Sequence, residues 1–410
     1  MRILVLSFYY PPDLGPGPFR ASALVEALRE ILPADTHIDV VTTMPNRYSG
    51  FNAAAPALEE LPGLTLHRIN LPAHQSGMLD QSKAFLTYAR NAVKIARQNK
   101  YDLVLATSSR LMTAALGAWI SRRTSACLYL DIRDIFVDTI KDVLPKRFAR
   151  VAKPLFSVLE GWTMRRASKI NLVSAGFGEY FSTRYPRQPY SFFTNGIDDE
   201  FLPEALPLAA PAQEKSGKIL SVLYAGNIGE GQGLHTILPP LAARMHGRLH
   251  FNVIGDGGRR AALQAALAQA RVDNVTLMAP MKRSELIAAY RDADVLFVHL
   301  NDYAAFKKVL PSKLFEYGAI GKPIWAGVDG YAAQFVATEI PNAAVFYPCD
   351  VDAAVNAFDS LRLHDMPRPE FITKFSRKNI VRAMARDIVT LLPPAAGECG
   401  AARQIVDVQN

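Results

Sequence analysis

The feature that most constrains this chain is an alternation that occurs twice. Short runs of β-branched residues and leucine, bounded by turn residues, are separated by longer stretches of helical character. In the first half the runs are RILVLSF (2–8), HIDVVTT (37–43), LTLHRI (64–69), DLVLATS (102–108), CLYLDIR (127–133), KINLVS (169–174) and YSFFTN (190–195). In the second half they are ILSVLYAG (219–226), LHFNVIG (249–255), NVTLMA (274–279), DVLFVHL (294–300), KPIWAG (322–327) and AAVFYP (343–348). Strands that are apolar nearly throughout need cover on both faces, which crossover helices supply when the strands run parallel. Two doubly wound α/β domains follow, and 410 residues suffice for both. The stretch 203–218, PEALPLAAPAQEKSGK, has no apolar periodicity and reads as a linker between a domain over 1–202 and another over 219–367. A final helix over 368–392 comes after the last strand and is expected to pack back on the first domain, with 393–410 as a tail.

Several classes are excluded. The three cysteines, Cys127, Cys349 and Cys399, are far apart and form no CxxC, so neither a disulfide framework nor a structural zinc is indicated. The longest apolar run, LMTAALGAWI (111–120), stops well short of the roughly 18 residues a membrane span needs. The N-terminus, MRILVLSFYYPPD, carries aromatic-Pro-Pro where a signal peptide would carry small residues, so a cytoplasmic protein is expected.

The net charge of +8 favours an anionic partner, and its distribution narrows the choice. Residues 141–190 hold ten Lys or Arg and three acids, a net +7. Within them LPKRFARVAKPLFSVLEGWTMRRASK interleaves bases with apolar residues at helical spacing. Arg147, Arg150, Lys153, Trp162, Arg165 and Arg166 make a surface suited to an anionic bilayer, where each base contributes about 1 kcal/mol. The plainer alternative is a helix with a solvated basic face. No nucleic-acid-binding motif accompanies the charge.

In open α/β sheets ligands bind beyond the carboxyl ends of the strands. The first strand empties into PPDLGPGPFRAS, where Gly15 and Gly17 allow close backbone approach and a helix begins near Phe19 to Ser22. The second domain repeats the device in GNIGEGQGLHTI (226–237). Neither fits GxGxxG, since Arg20 and Leu234 stand where the third glycine belongs, so a dinucleotide fold is not signalled. In LPSKLFEYGAIGKPI, Ser312 is placed as an N-cap, Lys313 in the first turn opposes the helix dipole, and Glu316 follows one turn later. A cation suited to a phosphate beside a carboxylate suited to hydroxyls describes a nucleotide sugar, the plainer alternative being a solvated lysine and a glutamate that satisfies the helix terminus. Asp131 and Asp134, with Arg133 between them as a partner for one of the two, end a central strand of the first domain, where they would either orient an acceptor or form a structural ion pair, and His299 reads as a core histidine.

Taken in order, PPDLGPGPFRAS, DIRDIF (131–136), TNGID (194–198), YAGNIGEGQGL (224–234), GDGGRR (255–260) and LPSKLFEYGAIGKPI resemble the GT-B glycosyltransferases of family 4. The resemblance is to the bacterial branch that builds O-antigen, capsule and exopolysaccharide units, and it spans about residues 1–390. It implies two Rossmann-like domains facing across a cleft and retaining transfer from a nucleoside-diphosphate sugar, a UDP-sugar above the others, with no cofactor and no obligatory metal. The acceptor it implies is a polyprenyl-diphosphate-linked glycan, which places the enzyme peripherally on the inner face of the cytoplasmic membrane with anionic lipid as its surface.

By position, Gly15, Gly17, Asn227, Gly229, Arg259, Ser312, Lys313 and Glu316 would face the donor, with Lys313 and neighbouring backbone N–H groups neutralising the diphosphate. Arg20, Asp131, Arg133 and Asp134 would serve the acceptor, and Glu316, Lys313 and Asp134 would be catalytic. Two positions depart from the family pattern. Lys308 stands where many members carry a glutamate, and Asn227 and Gln232 replace a basic diphosphate clamp for which Arg259 or Arg260 would compensate. A GT-B-like nucleotide-sugar epimerase and a non-catalytic nucleotide-sugar-binding or scaffold protein are the alternative readings.

Overall fold

Apolar strand runs become central strands covered on both faces. The computed structural model describes residues 1–392 except Leu14, 47–53, 73–77, 109–110, 138–145 and 203–217, and gives no side-chain surroundings for 78–79, 108 and 146–152. Most of the expected linker and all of the expected tail therefore lie outside the described residues.

The first domain runs β1 (Arg2–Ser7), α1 (Pro16–Ile31), β2 (His37–Thr43), β3 (Leu58–Leu61), β4 (Leu64–Ile69), α2 (Met78–Ala96), β5 (Leu103–Ser108), α3 (Leu111–Thr124) and β6 (Cys127–Ile132). It continues with α4 (Lys146–Arg166), β7 (Lys169–Leu172), α5 (Gly178–Arg184) and β8 (Tyr190–Ser191). The second runs β9 (Leu220–Ala225), α6 (Leu234–Arg244), β10 (Leu249–Ile254), α7 (Arg260–Ala270), β11 (Val275–Met278) and α8 (Arg283–Asp292). After these come β12 (Val295–His299), α9 (Lys313–Ile320), β13 (Ile324–Gly327), α10 (Tyr331–Glu339), β14 (Ala343–Phe346) and α11 (Val351–Asp359). Two helices, α12 (Pro369–Phe375) and α13 (Arg377–Val389), close the chain.

The sheet orders are β3-β4-β2-β1-β5-β6-β7-β8 and β11-β10-β9-β12-β13-β14. All pairs are parallel except the β3–β4 hairpin, whose first strand, LEEL, has too little apolar character to be read from sequence. In each sheet the chain reverses its direction of winding beside the first strand, between β1 and β5 and between β9 and β12. Those switch points open crevices at the carboxyl ends of β1 and β9, where the two glycine loops lie.

Three local expectations are corrected. Helix α1 starts at Pro16, earlier than Phe19, because proline suits a first turn whose N–H would be unpaired anyway. The run 190–195 pairs over two residues only. The helix expected over 368–392 is two, broken at Ser376, because Ile197 inserts a strand-like bridge there: Ile197 N donates to Phe375 O at 2.8 Å and Arg377 N to Ile197 O at 2.9 Å. Gly196 makes this crossing feasible, since a Cβ there would lie 2.5 Å from Arg377 Cα. Beyond the break, Val381, Met384, Ala385 and Ile388 of α13 join the apolar core of α1 and β1, so this helix does return to the first domain.

Candidate active site

The donor-side loop is shaped by close backbone packing. After β9 the chain passes Gly226 and turns at Asn227, whose carbonyl accepts from Tyr224 Oη at 2.6 Å. A Cβ on Gly255 would meet Gly226 O at 1.8 Å and one on Gly257 would meet Ile228 O at 2.6 Å, so the glycines of GDG let this loop lie flat against its neighbour. Asn227 Nδ2 and Gly229 N both donate to Gln232 Oε1, at 2.9 and 3.2 Å. The loop is therefore closed by a neutral amide pair. Arg259 does not add free charge beside it, because its guanidinium pairs with Glu230, which also accepts from Tyr303 Oη at 2.5 Å. The Tyr303 hydrogen bond comes first, ahead of Arg259, in holding the Glu230 carboxyl below its usual range.

Lys313 and Glu316 meet beside this loop. A Cβ on Gly226 would lie 3.5 Å from Lys313 Cε. Lys313 Nζ donates to Glu316 Oε2 and to Tyr290 Oη, and Tyr290 Oη donates to the same Glu316 oxygen, each at 2.9 Å. The lysine and glutamate side chains are 24% and 16% exposed, enough for a ligand to reach them. Ser312 occupies the cap position, yet its hydroxyl makes no cap bond and its backbone is helical. The first-turn amides are engaged instead by short-range bonds, Leu314 N to Pro311 O at 3.1 Å and Phe315 N to Ser312 O at 3.2 Å. Among the groups of this turn, the lysine side chain carries the cationic charge that is partly exposed.

Lys308 goes elsewhere. Its ammonium lies 5.1 Å above the Tyr180 ring of the first domain, and its carbonyl accepts from Ser174 Oγ at 2.6 Å. It works as a contact between domains. His299 is buried as expected, with Nδ1 against Gln232 O at 2.7 Å and Nε2 accepting from Cys349 N at 3.0 Å. Burial drives its pKa down to about 4, so it is neutral.

On the acceptor side the four residues separate into two groups. Arg20 and Asp131 form a fully buried bidentate pair, both bonds at 2.9 Å. Asp131 also accepts from Thr107 Oγ1 at 2.9 Å and Asn171 Nδ2 at 2.8 Å, and Arg20 donates to the carbonyls of Phe193 and Thr194. Burial pulls the Asp131 carboxyl upward, but the charge and hydrogen bonds of Arg20, with Asn171, outweigh it and hold it below its usual range. Neither side chain reaches the cleft. The expectation that they orient an acceptor is corrected: they tie α1, β6, β7 and the 193–194 segment together, and the partner of Asp131 is Arg20 rather than Arg133.

Arg133 and Asp134, just past the end of the same strand, are partly exposed. A Cβ on Gly17 would collide with the Arg133 guanidinium at 2.3 Å, so this glycine leaves room for the arginine against the first turn of α1. Gly15, at φ 141°, begins that helix. Pro16 and Pro18 lack N–H groups and Phe19 N bonds to Gly15 O at 3.3 Å, which leaves Gly17 to offer a backbone donor. Asp134 is half-buried and accepts from Ile135 N at 2.9 Å. Burial pushes its pKa up to about 6, against the pull of Ile135 N–H and Arg133.

The expected bilayer surface is divided in the same way. Lys153 and Arg165 are exposed on α4, together with Leu155 at 69% and Val158 at 73%. Trp162 instead packs on the domain core, and Arg166 donates to the Ser121 carbonyl at 3.2 Å, so these two face inward. The side chains of Arg147 and Arg150 lie outside the described residues. Phe156 of α4 meets Phe136 edge-on at 5.2 Å, which places the exposed apolar face next to the segment that carries Asp134.

Two residues escaped the sequence reading. Tyr290 lies in a helix with no chemical motif, and only the fold brings it to Lys313 and Glu316. Arg283 begins α8 just after β11, a position the carboxyl-end rule flags. It pairs with Asp198, as does Arg377, and lies 4.4 Å from the Phe19 ring centroid, joining the second domain to the crossing and to α1.

Among the described residues no helix is long and apolar enough to cross a membrane, and no group of three or more His, Cys, Asp or Glu side chains is arranged to hold a metal ion.

Residues 19–196 match the family model of the glycosyl transferase 4-like domain, and 210–379 match that of the glycosyl transferases group 1. WcaI of Escherichia coli (strain K12), whose name assigns it to colanic acid biosynthesis as a glycosyl transferase, is 27% identical over 173 residues, 41% of this chain and 42% of that protein. The solved structure of the lipopolysaccharide outer core galactosyltransferase WaaB is similar with a TM-score of 0.63 at 13% identity, covering 96% of this chain and all of that one. HepE of Anabaena, in complex with UDP-glucose, gives a TM-score of 0.64 at 14% identity over 95% of this chain and all of that one. With both halves matched by glycosyltransferase models and two parallel-sheet domains assembled as in these structures, the chain belongs to the GT-B glycosyltransferases of family 4.

Proposed function

We propose that this protein transfers a sugar, with retention of configuration, from a UDP-sugar to a polyprenyl-diphosphate-linked glycan during bacterial surface polysaccharide synthesis. The observation that carries the proposal is the meeting of Lys313 and Glu316 beside the Gly226 turn, a cation and a hydroxyl acceptor at the carboxyl end of β9. The same fold accommodates UDP-glucose in HepE.

In the transfer, the bond from the anomeric carbon to the diphosphate breaks and its electron pair leaves on the phosphate oxygen. Lys313 stabilises that charge without a metal, the term that dominates when a phosphate departs. A new bond forms from the acceptor oxygen to the same face of the anomeric carbon, and the acceptor proton passes to the departing phosphate. Asp134, ionised above about pH 6, orients the acceptor by accepting from a neighbouring hydroxyl of its sugar, which leaves the attacking hydroxyl's proton for the phosphate. The epimerase alternative needs a titrating histidine among carboxylates in the cleft, and the buried, neutral His299 does not supply it.

A lipid-linked acceptor is supported by the apolar face of Leu155 and Val158, flanked by Lys153 and reaching Asp134 through the Phe136–Phe156 contact. On this reading the enzyme sits peripherally on the cytoplasmic face of the membrane.

The test is incubation with UDP-, GDP- and dTDP-sugars and a polyprenyl-diphosphate sugar acceptor, followed by extraction of the lipid product and assignment of its anomeric configuration by NMR. Label in the lipid fraction from a UDP-sugar, in the donor's own configuration, is expected. No transfer from any donor would overturn the proposal, and an inverted product would overturn its stereochemistry.

A further inference from the structure

Tyr290 is the least accessible member of the three-residue ring. It is fully buried, stacked on Phe201 with ring centroids 6.1 Å apart and edge-on to Tyr317 at 5.2 Å, so its ring cannot swing to accommodate a moving hydroxyl. Tyr317 in turn accepts from Ala225 N, at 3.2 Å, at the end of the strand that leads into the Gly226 turn. The phenol is thereby anchored to the same strand end that forms the donor-side loop.

The directions of the three bonds are fixed by proton count. An ammonium only donates, so Lys313 gives one N–H to Tyr290 Oη and one to Glu316 Oε2. Tyr290 already accepts from lysine, so its single proton goes to Glu316. Burial foremost, and then the Glu316 charge, raises the phenol pKa well above its ordinary value, so that proton stays in place. Of three lysine protons one is left over, and with both internal donors on Oε2 the Glu316 Oε1 oxygen is left to accept from a ligand.

We infer that Tyr290 is a positioning residue for the donor site, holding the Lys313 ammonium and the Glu316 carboxylate so that the third lysine N–H meets the diphosphate while Glu316 Oε1 meets a donor hydroxyl. The inference rests on the donor-site reading above. Without the hydroxyl, lysine and glutamate remain paired, but the ammonium rotates freely about that one bond and its third proton loses a fixed direction.

The experiment is calorimetric titration with UDP, GDP and dTDP of the wild type, Tyr290→Phe, Glu316→Gln and the double variant, with donor kinetics alongside. Tyr290→Phe is expected to weaken nucleoside-diphosphate binding about tenfold, or about 1.4 kcal/mol. The donor KM rises correspondingly with little change in kcat, the signature of lost binding. In the double variant the two effects should be strongly non-additive, since the groups share one hydrogen-bond ring. The melting temperature of Tyr290→Phe is the packing control: the ring and its contacts with Phe201 and Tyr317 remain, so it should change little while nucleotide affinity falls. Equal affinity in Tyr290→Phe and wild type, additive effects, or a loss of affinity matched by a large fall in melting temperature would each overturn the inference. If the wild type binds none of the three nucleotides, it is the donor-site reading that fails.

Discussion

Two ion pairs, one in each domain, look alike in sequence and differ in what surrounds them. Arg20–Asp131 and Lys313–Glu316 both lie near the carboxyl ends of parallel strands, where α/β proteins bind ligands. In the first, Asp131 takes bonds from Arg20, Thr107 and Asn171, and Arg20 gives two further N–H groups to carbonyls, all without exposure. In the second, the pair is partly exposed and its internal bonds leave a lysine proton and a carboxylate oxygen over. Position alone marks both as candidates, and only the unsaturated pair has groups left over for a ligand. The same distinction divides the β6 end itself, where Asp131 is sealed in and Asp134, three residues on, is partly exposed.

The comparison breaks most readily at its structural end. Arg20→Ala strands a buried carboxylate, at a cost of about 3–5 kcal/mol. A melting-temperature drop on the order of 10 °C is expected. An unchanged melting point would mean the pair is not structural. Lys313→Ala should do the opposite, leaving the melting point nearly unchanged while kcat/KM falls about 10²–10³-fold, the range for removing one stabiliser of developing negative charge. A variant that melts early and turns over normally would reverse the two assignments.

Asp134→Asn sharpens the contrast within one strand end. Activity should fall about 10²-fold, and the acidic limb of the wild-type pH–rate profile, centred near pH 6, should vanish. Its stability effect has the reverse sign. A carboxyl whose folded-state pKa is raised contributes stability at low pH that is lost as pH rises through about 6, so at pH 7.5 the Asn variant should melt no earlier than wild type. A limb that survives the substitution would remove Asp134 from the reaction. The smallest expected effect is at the surface of α4. Lys153→Glu with Leu155→Ser should weaken flotation with anionic liposomes by about 1 kcal/mol for the lost base, plus a contribution from the apolar side chain. Unchanged flotation would return this face to ordinary solvated helix.

Much of this was legible in the chain itself, for identifiable reasons. Central strands announce themselves because burial on both faces makes them apolar throughout, as RILVLS and HIDVVTT show. LEEL did not, being an edge strand with most of its residues exposed. The break at Ser376 carries no glycine or proline, and it exists only because Ile197 arrives from far along the chain. Lys313 and Glu316 were found by helix-turn spacing, whereas Tyr290 reaches them from a neighbouring helix and leaves no spacing to read. Lys308 stands where many family members carry a glutamate, and its side chain is drawn to the Tyr180 ring across the domain boundary. Local pattern reports which face is buried, and only packing reports which charges have been used up.

The central claim, that the unsaturated pair is the diphosphate site, is tested most directly by comparing UDP with UMP in calorimetric titrations of wild type and Lys313→Ala. The account predicts that wild type prefers UDP by about tenfold or more, the equivalent of one charge-assisted contact to the second phosphate, and that the preference collapses in the variant. A preference that survives without the Lys313 ammonium would contradict it.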